Sequence, residues 1–229
     1  MTPYRVYKSG NNLIHIFLFK DSKEFVNSTL RLSVSEELRI RGLKKIPSAK
    51  TLNLWSEVFA PAPFETHTYA LYITSESTQL FFNTQTNLNG KEKKLKSYFD
   101  AFSDVKKKHL IVLNEEAYKV YSNNHITTES LIQHELAHFH CRNKQNLNTL
   151  SRITKENIST KVLQQIRGEL VGTYFHEQLN EEVIANIFSP VTPELRQIIA
   201  SIDEESVNKV KNIITRRFKE IEIETIQNR

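Results

Sequence analysis

His134-Glu135-Leu136-Ala137-His138 lies within Thr127-Thr128-Glu129-Ser130-Leu131-Ile132-Gln133-His134-Glu135-Leu136-Ala137-His138-Phe139, and the reading of this stretch decides the fold. On a helix, residues four apart stack on one face, so His134 and His138 project together and Glu135 stands beside them. Two imidazoles so placed can grip one Zn2+, with the glutamate as general base for a metal-bound water. Thr127 or Thr128 can cap such a helix, and Glu129 falls in the first turn, where the helix dipole favours an acid. Leu131, Ile132, Leu136, Ala137 and Phe139 make the segment more apolar than a solvated helix. A buried helix carrying two histidines and a carboxylate needs a cation or a partner, because unpaired buried charge is costly.

Two histidines do not complete a catalytic zinc site, which usually has three protein ligands and one open position. The extended pattern H-E-x-x-H-x-x-G-x-x-H is excluded, since Cys141 stands at the glycine position and Lys144 at the third histidine position. The third ligand must then come from a downstream segment, where Glu169, His176, Glu177, Glu181 and Glu182 are candidates. Glu182 fits best. It opens Glu182-Val183-Ile184-Ala185-Asn186-Ile187-Phe188, whose Val183, Ile187 and Phe188 form an apolar side to bury, while small Ala185 permits close helix approach. Asn186, one turn on, can hydrogen-bond the second nitrogen of a liganding histidine, and Glu181 points a quarter-turn away as a solvated residue.

His134-Glu135-x-x-His138 followed by Glu182-x-x-x-Asn186 resembles the gluzincin metallopeptidases, whose third ligand is a glutamate with Asp or Asn four residues later. Glu182-x-x-Ala185-Asn186-x-Phe188 is similar to the ImmA/IrrE-type branch of intracellular proteases, with departures at Ser189 and Pro190. The resemblance covers about twenty residues in two blocks. It implies an α+β zincin-like domain, with a small, mostly antiparallel sheet packed on the active-site helix and a helical C-terminal half. It also implies that the strand at His109–Leu113 is the sheet edge along which a substrate peptide lies.

The expected activity is zinc-dependent endopeptidase hydrolysis of a protein or peptide substrate, with His134, His138 and Glu182 as ligands. Glu135 is the base and His176 the donor to the tetrahedral oxyanion, preferred to Tyr174. A non-proteolytic regulatory or binding module on the same scaffold, engaging nucleic acid or an acidic protein, and a zinc amidohydrolase are the alternatives.

Composition bounds the rest. A chain of 229 residues with 39% hydrophobic and 25% charged residues has the make-up of a soluble globular protein. No apolar run is long enough to span a bilayer, and the opening residues lack the pattern of a secretory leader, which predicts a cytoplasmic location. The single cysteine, Cys141, rules out an intramolecular disulfide framework. A net charge of +5 includes lysines clustered at 91–96 and 106–108; these read as wet helix faces, with nucleic acid not expected as a partner.

Along the chain, Tyr4–Tyr7 and Leu13–Phe19 read as strands around a Ser9-Gly10-Asn11-Asn12 turn. A short helix follows Ser35-Glu36-Glu37. Pro61-Ala62-Pro63 is the candidate boundary between an N-terminal α+β portion (1–60) and the catalytic domain (61–229), the alternative being one continuous domain over 1–229. Tyr69–Thr74 and Gln79–Asn83 carry strand-forming residues around a hairpin at Ser75-Glu76-Ser77, and Lys91–Phe102 reads as a helix. Beyond residue 151 the pattern is helical, over Ile158–Tyr174, Glu181–Phe188, Pro193–Ile202 and Val207–Ile223.

Overall fold

The structure, a computed structural model, describes residues 2–42, 47–48, 50–54, 68–100, 107–122, 125–174, 176 and 178–221. The boundary expected at Pro61-Ala62-Pro63 lies outside these residues. The chain is mixed α and β, and it divides into two compact units: residues 1–124 together with 219–229, and residues 125–218.

The first unit holds a five-stranded sheet in the order β3-β4-β2-β1-β5. Its strands are β1 (Arg5–Ser9), β2 (Asn12–Phe19), β3 (Ala70–Ile73), β4 (Lys107–Asn114) and β5 (Lys219–Ile221). β1 and β2 form the expected hairpin, with Ser9 opposite Asn12 and Gly10 at φ +59°, a conformation that suits a residue without Cβ. All pairings are antiparallel except β2 with β4, which run parallel with Ile16 opposite Ile111. These two central strands are buried almost continuously, which is why they read as apolar runs without alternation.

Among the described residues this unit includes the helices α1 (Ser22–Ile40), α2 (Ser75–Thr84), α3 (Gly90–Asp100) and α4 (Glu115–Tyr121). One core joins Phe17, Phe19, Leu110 and Val112 of the sheet to Phe25, Leu32, Phe81, Leu95 and Phe99 of the helices. Three expectations fail here. Gln79–Asn83 is helix α2, because Thr74 accepts a hydrogen bond from the Ser77 amide and caps a turn that had looked like a hairpin. The helix expected after Ser35 begins at Ser22, capped by Asp21. The strand expected as a substrate-binding edge, β4, is paired on both sides.

The second unit is helical: α5 (Thr128–Cys141), α6 (Lys144–Asn157), α7 (Thr160–Leu170), α8 (Leu179–Phe188), α9 (Pro193–Ala200) and α10 (Glu204–Thr215). Its core gathers Ala137 and Cys141 of α5, Leu150 of α6, Ile166 of α7, Ile184 and Ile187 of α8, Leu195 of α9 and Val210 of α10. Within this unit α5 packs against α6, α8 and α10. The five-stranded sheet belongs to the first unit and the motif helix α5 to the second. The chain then returns to that sheet: residues 219–221, expected as helix, form β5 and pair with β1, Val6 opposite Ile221. No described helix is long and apolar enough to cross a membrane.

Candidate metal centre

Helix α5 starts with a reciprocal cap. The Thr127 side chain accepts from the Ser130 amide at 3.0 Å, and the Ser130 hydroxyl accepts from the Thr127 amide at 3.0 Å. Two turns on, His134, Glu135 and His138 are all buried, and one ligand atom of each lies within 4.8 Å of the others. Opposite them, the first turn of α8 contributes Glu182, also buried. Its Oε2 lies 3.7 Å from His134 Nε2 and its Oε1 3.6 Å from His138 Nε2, while the two Nε2 atoms are 3.1 Å apart. Bonds of about 2.0–2.1 Å in a tetrahedral site require ligand atoms about 3.3 Å apart. The three side chains meet that requirement from two separate helices.

The outer contacts say which nitrogens face the centre. His134 Nδ1–H donates to the Ser189 carbonyl at 3.0 Å, and a carbonyl can only accept. His138 Nδ1–H donates to Glu181 Oε1 at 2.7 Å. With Nδ1 of each ring committed outward, both Nε2 atoms face the centre 3.1 Å apart, where either a shared proton or a metal ion can lie between them. Glu182 Oε2 is buried without a hydrogen-bond partner. An unpartnered carboxylate oxygen beside two inward-facing imidazole nitrogens is an arrangement that could hold a metal ion.

The electrostatics agree. Burial pulls the His138 imidazole down, yet the charge of Glu182, the bond to Glu181 and the charge of Glu135 outweigh it and lift its pKa to about 9. Burial raises Glu135, and the charges of the two histidines only partly offset this. Burial also opposes ionisation of Glu182, but the charges of His138 and His134, and then that of Arg142, prevail and hold it low. Two buried carboxylates in one pocket are thus driven apart in proton affinity.

The remaining candidates fall as follows. His176 is exposed in the turn before α8, and among the described residues no hydrogen bond ties its ring to this cluster. Tyr174 is half-buried, and its phenol is raised by burial and then by the charges of Glu182 and Glu135, which places it within their field. Glu181, expected in solvent, contacts His138 and also Arg142, whose Nε is 3.3 Å from the same oxygen. Asn186, expected on a histidine, instead donates to the Glu182 carbonyl at 3.0 Å and accepts from the Val191 amide at 3.2 Å. His140 is buried, lowered to about 4 by burial and then by Arg217. Cys141 is buried, and burial raises its thiol far above the ordinary range, so it is unreactive. Sequence reasoning missed Glu181 and Ser189; the one available signal was that two glutamates open α8 and only one can face the centre.

No protein family, no curated protein and no solved structure matches this chain. What the residues establish is a buried His-Glu-x-x-His cluster able to hold a metal ion.

Proposed function

We propose that residues 125–218 carry a zinc centre of gluzincin type and that the protein is a zinc-dependent endopeptidase. The observation that supports this most is the convergence of His134 Nε2, His138 Nε2 and the Glu182 carboxylate, with Glu182 Oε2 otherwise unpartnered. Two imidazoles and a carboxylate suit Zn2+, a borderline-soft ion, better than Mg2+ or Ca2+, which prefer oxygen ligands alone.

Bound zinc would lower the pKa of a water to about 7 and polarise a carbonyl oxygen. Glu135, adjacent to the ligand His134 and in a pocket that disfavours its charge, takes the proton of the attacking water and returns it to the departing amine. Tyr174, half-buried in the field of the two glutamates, is better placed than exposed His176 to donate to the tetrahedral oxyanion, and a phenol keeps its proton at neutral pH. Burial of His134, Glu135, His138 and Glu182 limits competing water around the reacting groups.

The test is metal analysis of purified protein combined with cleavage of a peptide library. Glu135→Gln should retain folding and one zinc per chain while cleavage falls about 10²–10⁴-fold. Full cleavage by that variant would refute the proposal, as would the absence of cleavage by zinc-loaded wild type across the library.

A further inference from the structure

We infer that Glu181, braced by Arg142, is the positioning residue of the metal centre. It fixes the tautomer and direction of His138 in the part that the sequence pattern assigns to Asn186. The inference rests on the metal reading above and adds the device that sets the affinity of that site.

Asn186 is fully committed elsewhere. Its amide nitrogen donates to the Glu182 carbonyl and its oxygen accepts from the Val191 amide, so both ends of the side chain serve the backbone around the end of α8. That turn includes Ser189, whose carbonyl receives His134 Nδ1–H. Asn186 therefore acts on His134 indirectly, by holding the turn, and makes no hydrogen bond to either ring among the described residues.

Glu181 has the required geometry. Its Oε1 is 2.7 Å from His138 Nδ1, a charge-assisted distance, and 3.3 Å from Arg142 Nε. Glu181 and His138 are both largely buried, and Arg142 is about a quarter exposed. Arg142 follows His138 by one turn and closes α5, its amide bonded to the His138 carbonyl. The guanidinium and imidazole thus leave the same helix end together and converge on one carboxylate oxygen from α8. Such an acceptor shifts electron density through the ring onto Nε2 and makes His138 a stronger donor than His134, which is backed only by a neutral carbonyl. The two histidines are chemically unequal, although the motif reads as symmetrical.

Charge supports the assignment. Arg142 lies 3.3 Å from Glu181 and also acts on Glu182, so one guanidinium serves both glutamates that open α8.

The experiment measures zinc affinity of the full chain by competition with a chromogenic chelator, alongside the imidazole N–H proton resonances of metal-free and zinc-loaded protein. Glu181→Ala should weaken zinc binding about 10–100-fold. Glu181→Gln, which retains an acceptor oxygen without the charge, should recover part of that loss. Glu181→Gln should also move the His138 Nδ1–H resonance upfield while leaving that of His134 in place, a local signature that a merely structural role would not produce. Zinc affinity in Glu181→Ala equal to that of a zinc-binding wild type overturns the assignment, as does an Asn186→Ala variant that moves the His138 resonance. A wild type that takes up no zinc overturns the metal reading itself, and the metal-free resonances still report whether Glu181 holds His138.

Discussion

Removing Glu182 as a ligand should uncouple metal from stability in the helical unit. His134 and His138 come from α5 and Glu182 from α8, so an ion bound by all three is a cross-link between two helices that also share the unit's core. A ligand that binds only the folded state stabilises it by about 2.7 kcal/mol when free ion exceeds Kd a hundredfold. For a unit of about 100 residues, each kcal/mol moves the melting temperature by roughly 4–8 °C, so saturating zinc should raise it by roughly 10–20 °C. Binding of zinc to histidines of the unfolded chain brings the shift toward the lower figure. Differential scanning calorimetry with zinc and with chelator reads the effect directly. Glu182→Gln, nearly isosteric, should fold and lose most of the zinc-dependent shift. An equal shift in wild type and Glu182→Gln, or none in wild type at saturating zinc, would refute the reasoning that these helices share a metal.

Tyr174→Phe should lower kcat/KM on any cleaved peptide about 10²-fold with zinc content unchanged; equal kinetics would remove Tyr174 from the oxyanion role. Ile187→Ala, at a wholly buried core position of α8, should cost about 2–5 kcal/mol in urea unfolding, and a loss below 1 kcal/mol would mean that the site collapses around the cavity. In the sheet unit, burial, then the charges of Lys108 and His109, hold His15 down to about 3. Burial likewise lowers His109 to about 4, and its Nδ1 accepts from the Ser75 amide, which fixes the neutral form. The unfolded chain then binds these protons first, so stability present above pH 6.5 is lost as pH falls toward 4, at up to about 1.4 kcal/mol per pH unit per histidine. Urea unfolding between pH 7 and 4 should show this slope, flattened in His109→Gln; identical slopes would dismiss the histidine as its source.

The candidate cluster is legible because its spacing is a property of the helix itself. His134 and His138 share a face by periodicity, Thr127 caps by residue type, and Glu182 follows from the apolar stripe around it. What supports them was less legible, because it depends on how two helices approach. Glu181 lies a quarter-turn from Glu182, and only the meeting of α8 with the end of α5 turns that offset into a bond to His138. Helix α1 hid half its length for a different reason: its buried face includes Ser28, Thr29 and Ser35, which dilute the apolar period. Helix α2 carries a strand-like composition in Phe81 and Phe82, whereas the Thr74 cap makes it a helix. β5 carries no local signal at all; it is a strand because β1 offers it an edge.

That last strand has a consequence for the order of assembly. The chain completes four strands, spends residues 125–218 on the helical unit, and only then supplies Lys219–Ile221 to β1. During synthesis the outer side of β1 stays unpaired until the whole helical unit has emerged, and an open strand edge is a template for unwanted association. The helical unit is thus an insertion whose two chain ends both lead into the sheet unit. A protein truncated within the insertion would lack its closing strand as well as its centre.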